Sequence, residues 1–441
     1  MEKILNTLSY YIEKNNYLAF ALTYIVTGIL ILIFNHVLFS SFIEILLLIM
    51  LISCMKDLFT MLTNKKASKI VFAKAVGSTI LVLIALFFID IPKAILIMVF
   101  STYFIFNGLI KFVSCYLMKK DKLRGIFKDF LEGFISFAFG IICFFSPKIH
   151  MNIMLYIIGG YVLLLGIDYL FDFLDQKEIH IKRIHLPLPP FIDALIPLSI
   201  LQKINRLGED KNIELDFHKK IEKVDLEIFV HVSMQGTGKL GHVDLCFDGY
   251  IISYGNYDMD TRKLRDGIGS GVVFTCPKTK YIPFCVEYSE KTIFGFGIKL
   301  SEAQKGKVKQ ELSHIFESLE EWKPKYVRAL ENDKDINKDE YIDYASMLYK
   351  NTDAKFYKFT NGKLKTFFIL GNNCGALVDK ILRSSGADVL KMRGIITPGT
   401  YYDFLEREYL KKDSNVVSKQ IYNQGNIQKW KERFKEEKID F

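Results

Sequence analysis

Six apolar stretches, each long enough to cross a bilayer, precede residue 175 and dictate what this chain can fold into. They lie near 17–39, 41–62, 70–89, 92–117, 130–147 and 151–174. A run of about 18 or more apolar residues reads as a span, and in lipid its backbone polar groups are satisfied only in a helix. Hydrophobic residues make up 50% of the 441, and they gather in this half. Residues 1–16 are polar and lead directly into a full-length stretch, so no cleavable signal is expected. Lysine and arginine in the short loops set the orientation. Lys3 and Lys14 precede the first stretch, and Lys65, Lys66 and Lys69 join the second to the third. Lys119, Lys120, Lys122, Arg124 and Lys128 join the fourth to the fifth, and Lys177, Lys182 and Arg183 follow the sixth. The opposite loops offer Lys93 and Lys148. The expectation is a multi-pass protein of the cell membrane with both termini cytoplasmic.

The stretches read as one helical hairpin used three times. In each unit an apolar helix ends in Phe and a polar or turn residue, at Asn35, Asp90 and Pro147. The second helix ends in a small residue with a charge close behind: Cys54 with Lys56, Gly108 with Lys111, Gly166 with Asp168. Recurrence of this kind means duplicated packing units. Over roughly residues 20–174 this half resembles the HdeD-like family of short-repeat membrane proteins. Glu44, Lys56, Asp57 and Asp168 fall near span ends, where they can snorkel to the interface. Gly28, Gly77, Gly108, Gly133, Gly159 and Gly160 suit close helix contact better than a pore.

Residues 176–212 form a connector containing Pro187, Pro189 and Pro190 and then an apolar, weakly amphipathic stretch. It either lies on the inner membrane surface or serves as a core helix. From 213 to 441 the pattern changes. EIFVHVSMQ, HVDLCFDGYIISYG, IFGFGIKL and KTFFIL have the β-branched and aromatic content of strands, with Cys246, Cys276 and Cys285 in strand-like runs. The segment from Ser301 to Trp322 reads as a capped helix, and Cys374 to Leu382 as another. Strands and helices without strict alternation argue for an α+β domain. The expected architecture is therefore a six-helix transmembrane bundle over 1–175, the connector, and a cytoplasmic α+β domain over 213–441.

Composition excludes several functions. Inner-loop lysines account for much of the net charge of +9, so no nucleic-acid partner is needed to explain it. The seven cysteines have no paired spacing and imply no disulfide framework. No His/Cys cluster stands at ligand spacing, so neither a metal nor an organic cofactor is implied. Gly236, Gly238 and Gly241 spell a dinucleotide fingerprint, but a strand follows where that motif needs a helix. Asp333, Asp335, Asn337 and Asp339 imitate a calcium loop, yet Lys338 stands where glycine is required and Tyr344 where a bidentate Glu is required.

Two residues carry chemistry better. His242 opens a strand after a Gly-rich turn, and alternation puts Asp244 and Cys246 on its face. Cys374 follows an apolar strand and opens an amphipathic helix, with Asn372 and Asn373 breaking the run before it. A thiol in the first turn of a helix is favoured as thiolate by the helix dipole. The sequences around Gly241-His242-Val-Asp-Leu, Gly249-Tyr-Ile-Ile-Ser-Tyr-Gly255, Gly371-Asn-Asn373-Cys374 and Ile396-Thr-Pro398-Gly-Thr-Tyr401 together resemble the circularly permuted, papain-like NlpC-type hydrolases, which include lecithin retinol acyltransferase-like proteins. The likeness spans roughly 225–410. It implies a permuted papain-like fold with Cys374 as nucleophile and His242 as base. A third polar residue on the next strand orients the imidazole in such proteins. Here the options are Ser253, Tyr254 and Asn256, with Tyr254 preferred. Asn372 and Asn373 either shape the turn or donate to an oxyanion.

The leading expectation is a membrane-anchored cysteine hydrolase or acyltransferase that forms a thioester at the inner membrane surface. Its partners would be the lipid bilayer and a lipid, lipid-linked or protein substrate nearby. The alternatives are an inactive papain-like binding or sensing module, and a transporter with an appended regulatory domain.

Overall fold

The computed structural model describes residues 2–63, 73–74, 76–80, 82–83, 90–123, 126–145, 147–175, 216–218, 224–232, 241–332, 337–385, 398–411 and 414–436. Contacts divide the chain into two units, Met1–Cys115 with Gly125–Phe171 and Tyr116–Arg124 with Asp172–Phe441. The connector, the turn before Gly241 and the first half of the calcium-like stretch lie outside the described residues.

The first unit is helical: α1 (Glu2–Thr63), α2 (Asp90–Lys120), α3 (Ile126–Phe145) and α4 (Pro147–Asp175), with helical residues also at 76–80. α1 breaks at Phe34, whose φ of −112° and ψ of 29° are non-helical. That break adjoins Asn35, while α2 opens at Asp90 and α4 at Pro147, the other two turn points of the repeat. Proline suits the first helical position because its missing N–H has no intrahelical partner there. Helix thus covers described residues in all six apolar stretches. Among the described residues, one helix, Ile97–Lys120, is both long and apolar enough to cross a membrane. Leu18–Phe34 and Leu155–Ile167 are shorter apolar helices. The finer expectation of six spans is met only to that extent among the described residues.

Three antiparallel contacts link the helices. Cys54 Sγ lies 3.3 Å from Thr79 Oγ1, and Lys74 pairs with Asp57 at 3.0 Å. Gly108 faces Phe137 and the Gly133 carbonyl, while Gly140 faces Ile105 and the Ser101 carbonyl. Gly28 faces Leu163, Gly159 faces Ile31, and Gly166 faces Ile25. A Cβ added at Gly108, Gly140, Gly28 or Gly166 would come within 3.0 Å of its neighbours, so glycine sets how closely these backbones approach. In each contact the second helix of one hairpin meets the first helix of the next, and the third hairpin returns to the first. Beside these contacts stand the pair Asp57–Lys74, Lys111 with Asp129 and Glu132, and the rings of Phe20, Tyr24 and Tyr169.

The second unit is an α+β domain built on a large antiparallel sheet. Its strands are β1 (Asp216–His218), β2 (Leu226–Val232), β3 (His242–Phe247), β4 (Tyr250–Gly255), β6 (Val272–Pro277), β7 (Thr292–Ile298), β8 (Leu319–Glu321), β9 (Lys355–Phe359) and β11 (Val416–Tyr422), in the order β1-β11-β7-β2-β3-β4-β6-β9-β8. β5 (Ile268–Ser270) and β10 (Thr366–Phe368) make a separate two-stranded ribbon. Alternation along β2, β3 and β4 sends Ile228, Val230, Val243, Leu245, Ile252 and Tyr254 to one face. There they meet α6 (Glu302–Glu317), α9 (Cys374–Ser385) and α10 (Pro398–Leu410) through Val308, Ile315, Leu377, Ile381, Tyr401 and Leu405. Phe229, Cys246, Ile251 and Phe274 point to the other face, against α5 (Lys278–Glu287), α8 (Tyr344–Thr352) and α11 (Ile427–Glu436). Two apolar layers thus sandwich the sheet. The expected helix from Ser301 ends at Glu317, after a capping box between Ser301 and Gln304, and its expected tail is β8. Cys285, expected within a strand-like run, lies on α5 instead. A short helix, α7 (Lys325–Asn332), precedes the calcium-like stretch, whose described end is a 3-10 turn at Lys338–Glu340.

Candidate active site

His242 is the first residue of β3. The turn into it needs Gly241, which has φ of +79° and no room for a Cβ, with Pro398 Cβ at 2.9 Å and the His231 carbonyl at 3.1 Å. Cys374 is the first residue of α9, which lies against β3 and β4. The two expected residues come near one another, for the Cys374 sulfur is among the groups that raise the His242 pKa. Cys374 belongs to the apolar layer beside α9 and is 5% exposed, whereas the His242 side chain keeps 21% exposure. The imidazole is the more accessible partner.

The orienting group is Asp244, two residues along the same strand. Its Oδ1 is 2.8 Å from His242 Nε2. Ser253 Oγ lies 3.0 Å from the same nitrogen, and Tyr257 OH 3.2 Å from it and 2.7 Å from Ser253 Oγ. With Nε2–H donated to the carboxylate, the other ring nitrogen is left for the thiol. The second carboxylate oxygen is held too. Tyr281 OH donates to Asp244 Oδ2 at 2.6 Å, and His231 Nε2, from the β2 residue opposite His242, is 2.7 Å from it. Rings of Tyr257, Phe274, Tyr281 and Tyr344 enclose this group in contact with one another.

One carboxylate between two imidazoles pushes their proton affinities apart. Burial works against the charge on His242, but Asp244 and the Cys374 sulfur overcome it and raise its pKa to about 10. At His231 burial prevails over the attraction of Asp244, and its pKa falls to about 4. Burial also works against the charge on Asp244, yet the two histidines hold its pKa well below the usual carboxylate range. The site therefore holds a neutral His231, an ionised Asp244 and a protonated His242 at neutral pH.

Tyr254, the preferred third residue, is corrected. It points to the opposite face, packs between Phe359 and Phe367, and donates its hydroxyl to the Leu364 carbonyl at 2.9 Å. Alternation explains the error, because Ser253 and not Tyr254 shares the face of His242. Ser253 is in the site. Asn256 is not; its Nδ2 donates to the Asp266 and Ile268 carbonyls, at 3.1 and 3.3 Å. Asn372 Nδ2 donates to the Lys363 carbonyl at 2.8 Å, and Asn373 Nδ2 to the Ile369 carbonyl at 3.1 Å. Both asparagines tie down the turn that delivers Cys374. Asp244 was visible as a neighbour of His242 in the strand pattern, whereas nothing in the sequence joins His231, Tyr257 and Tyr281 to it.

Residues 73–145 and 131–188 match a family described as a short repeat of unknown function (DUF308). The two matched segments start one repeat apart. Part of the helical half is therefore similar to the short repeats of that family. No curated protein and no solved structure matches the chain.

Proposed function

We propose that this chain is a membrane-anchored cysteine hydrolase or acyltransferase of permuted papain-like type, acting on an amide or ester beside the inner membrane surface. The reading rests on one observation: near a thiol that opens a helix stands an imidazole held by a buried carboxylate. In it, His242 already carries the proton and pairs with the Cys374 sulfur as that sulfur attacks a carbonyl carbon. The carbonyl oxygen becomes an oxyanion, stabilised by the backbone N–H of Cys374 at the positive end of α9. As the C–N or C–O bond breaks, the imidazolium returns its proton to the leaving amine or alcohol. Water, an amine or an alcohol then attacks the thioester, giving up its proton to His242, and the thiol is restored. The helical half serves as a six-span anchor with both termini cytoplasmic. The short-repeat match, the three-hairpin pattern and the lysine-rich loops support that anchor.

The 5% exposure of Cys374 favours a second reading, a papain-like module kept for binding. Thiol labelling with a small alkylating reagent separates the two. An enzyme labels at Cys374 ahead of Cys246, Cys276 and Cys285, which sit in the core, and His242→Ala slows that labelling about 100-fold. Equal, slow labelling of all these thiols overturns the catalytic reading.

A further inference from the structure

We infer that the β5–β10 ribbon is a docking surface for an anionic phospholipid bilayer, placing lipid headgroups beside the mouth of the Cys374 site. Leu264, at the tip of the loop into β5, is 76% exposed, and Leu370, just after β10, is 44% exposed. Leucines this exposed are not covered by any part of the described chain. Nor is the tip loosely held. Lys263 and Ile268 exchange backbone hydrogen bonds at 2.8 and 3.2 Å, Gly267 N–H donates to the Leu264 carbonyl at 3.1 Å, and Asn256 grips the carbonyls of Asp266 and Ile268. Leu264, Arg265 and Asp266 all have positive φ, of 50°, 51° and 68°, which L-residues rarely adopt in succession. The backbone thus holds an apolar side chain outward against two costs, strain and exposure.

Charge identifies the occupant. Lys263 and Arg265 flank Leu264, and Lys363 and Lys365 lead into β10; all four are exposed, and none has an acidic partner among the described residues. Asp266, the acid of the tip, lies 3.5 Å from Arg262. Exposed leucines on a ribbon that also bears unpaired cations match an anionic interface, where the leucines enter the acyl boundary and the cations meet phosphate. The ribbon also leads to the thiol. Phe368 N–H donates to the Asn372 carbonyl at 3.1 Å, and Cys374 follows two residues later. This inference rests on the membrane-proximal reading above, and adds that the substrate is drawn from the bilayer.

The test uses the full chain in lipid nanodiscs carrying Leu264→Trp, with brominated phospholipid as quencher and the unsubstituted chain as background for Trp322 and Trp430. Docking predicts that the added indole emission is quenched in discs rich in brominated anionic lipid. It is recovered at 1 M salt, where the screening length falls to about 3 Å. Reversal of Lys263, Arg265, Lys363 and Lys365 to Glu recovers it too, because each cation near such a surface contributes about a fivefold preference. Absence of quenching overturns the inference, as does quenching that is equal in zwitterionic discs and indifferent to salt. Repeating it in a Cys374→Ala background separates this from the catalytic reading, since docking needs no thiol.

Discussion

Asp244 carries the chemistry of the site at the scale of single residues. Replacing it with Asn removes the larger of the attractions that oppose burial, so the His242 pKa falls from about 10. The pH profile of Cys374 alkylation reads this directly: Asp244→Asn slows labelling at pH 7 about 100-fold. An unchanged profile would remove Asp244 from the role assigned to it. The same substitution unpairs a buried charge network and costs about 3 kcal/mol in chemical denaturation. Tyr281→Phe removes a single hydrogen bond to the second oxygen, at about 1.5 kcal/mol, and leaves the labelling profile nearly in place. The two histidines give stability opposite slopes with pH. His242 binds its proton more tightly when folded, so its contribution is complete below about 6.5 and fades as pH rises toward about 10. His231 is driven neutral on folding, so its contribution is lost as pH falls from about 6.5 toward about 4. Stability from these two groups is therefore expected to peak near pH 6.5 and to decline on either side, and His231→Gln to flatten only the acid side.

Elements differed in how far the sequence revealed them. The run Glu227 to Val232 and the run from His242 to Gly255 were plain as strands because β-branched and aromatic residues alternate there. Ser301 with Gln304 announced the helix start through a local capping rule, and Ser301→Ala is expected to cost about 1 kcal/mol in urea denaturation. Cys374 and His242 stood out by local context, and the family resemblance joined them as a pair. What stayed hidden depends on contacts far apart in the chain. Tyr281 reaches Asp244 only because α5 packs on the face opposite α9, and nothing within α5 declares which face it covers. Tyr254 misled because a tyrosine near His242 in sequence is as good a hydrogen-bonding residue as Ser253, and only the strand's two-residue period separates them. Cys285 misled for a related reason: a short apolar segment with Pro283 reads poorly as helix.

At the scale of the molecule, the helical unit and the α+β unit are held together differently. In the helical unit, glycines set how closely neighbouring backbones approach. Gly166→Leu places a side chain where even a Cβ would lie 2.6 Å from Ile25 N, and is expected to lower the melting temperature of the detergent-purified chain. Gly160→Leu, where a Cβ meets nothing within 4 Å, is expected to leave it unaltered. Equal effects at the two positions would contradict the arrangement of contacts.

The return of the third hairpin to the first has a consequence for biogenesis. Two of the three seams zip between neighbours as the polypeptide emerges, but residues 25–31 must wait until 159–166 have been made. Such a long-range seam is slow to form. The opening segment is left without its mate during synthesis, and the closing hairpin acts as the latch of the assembly.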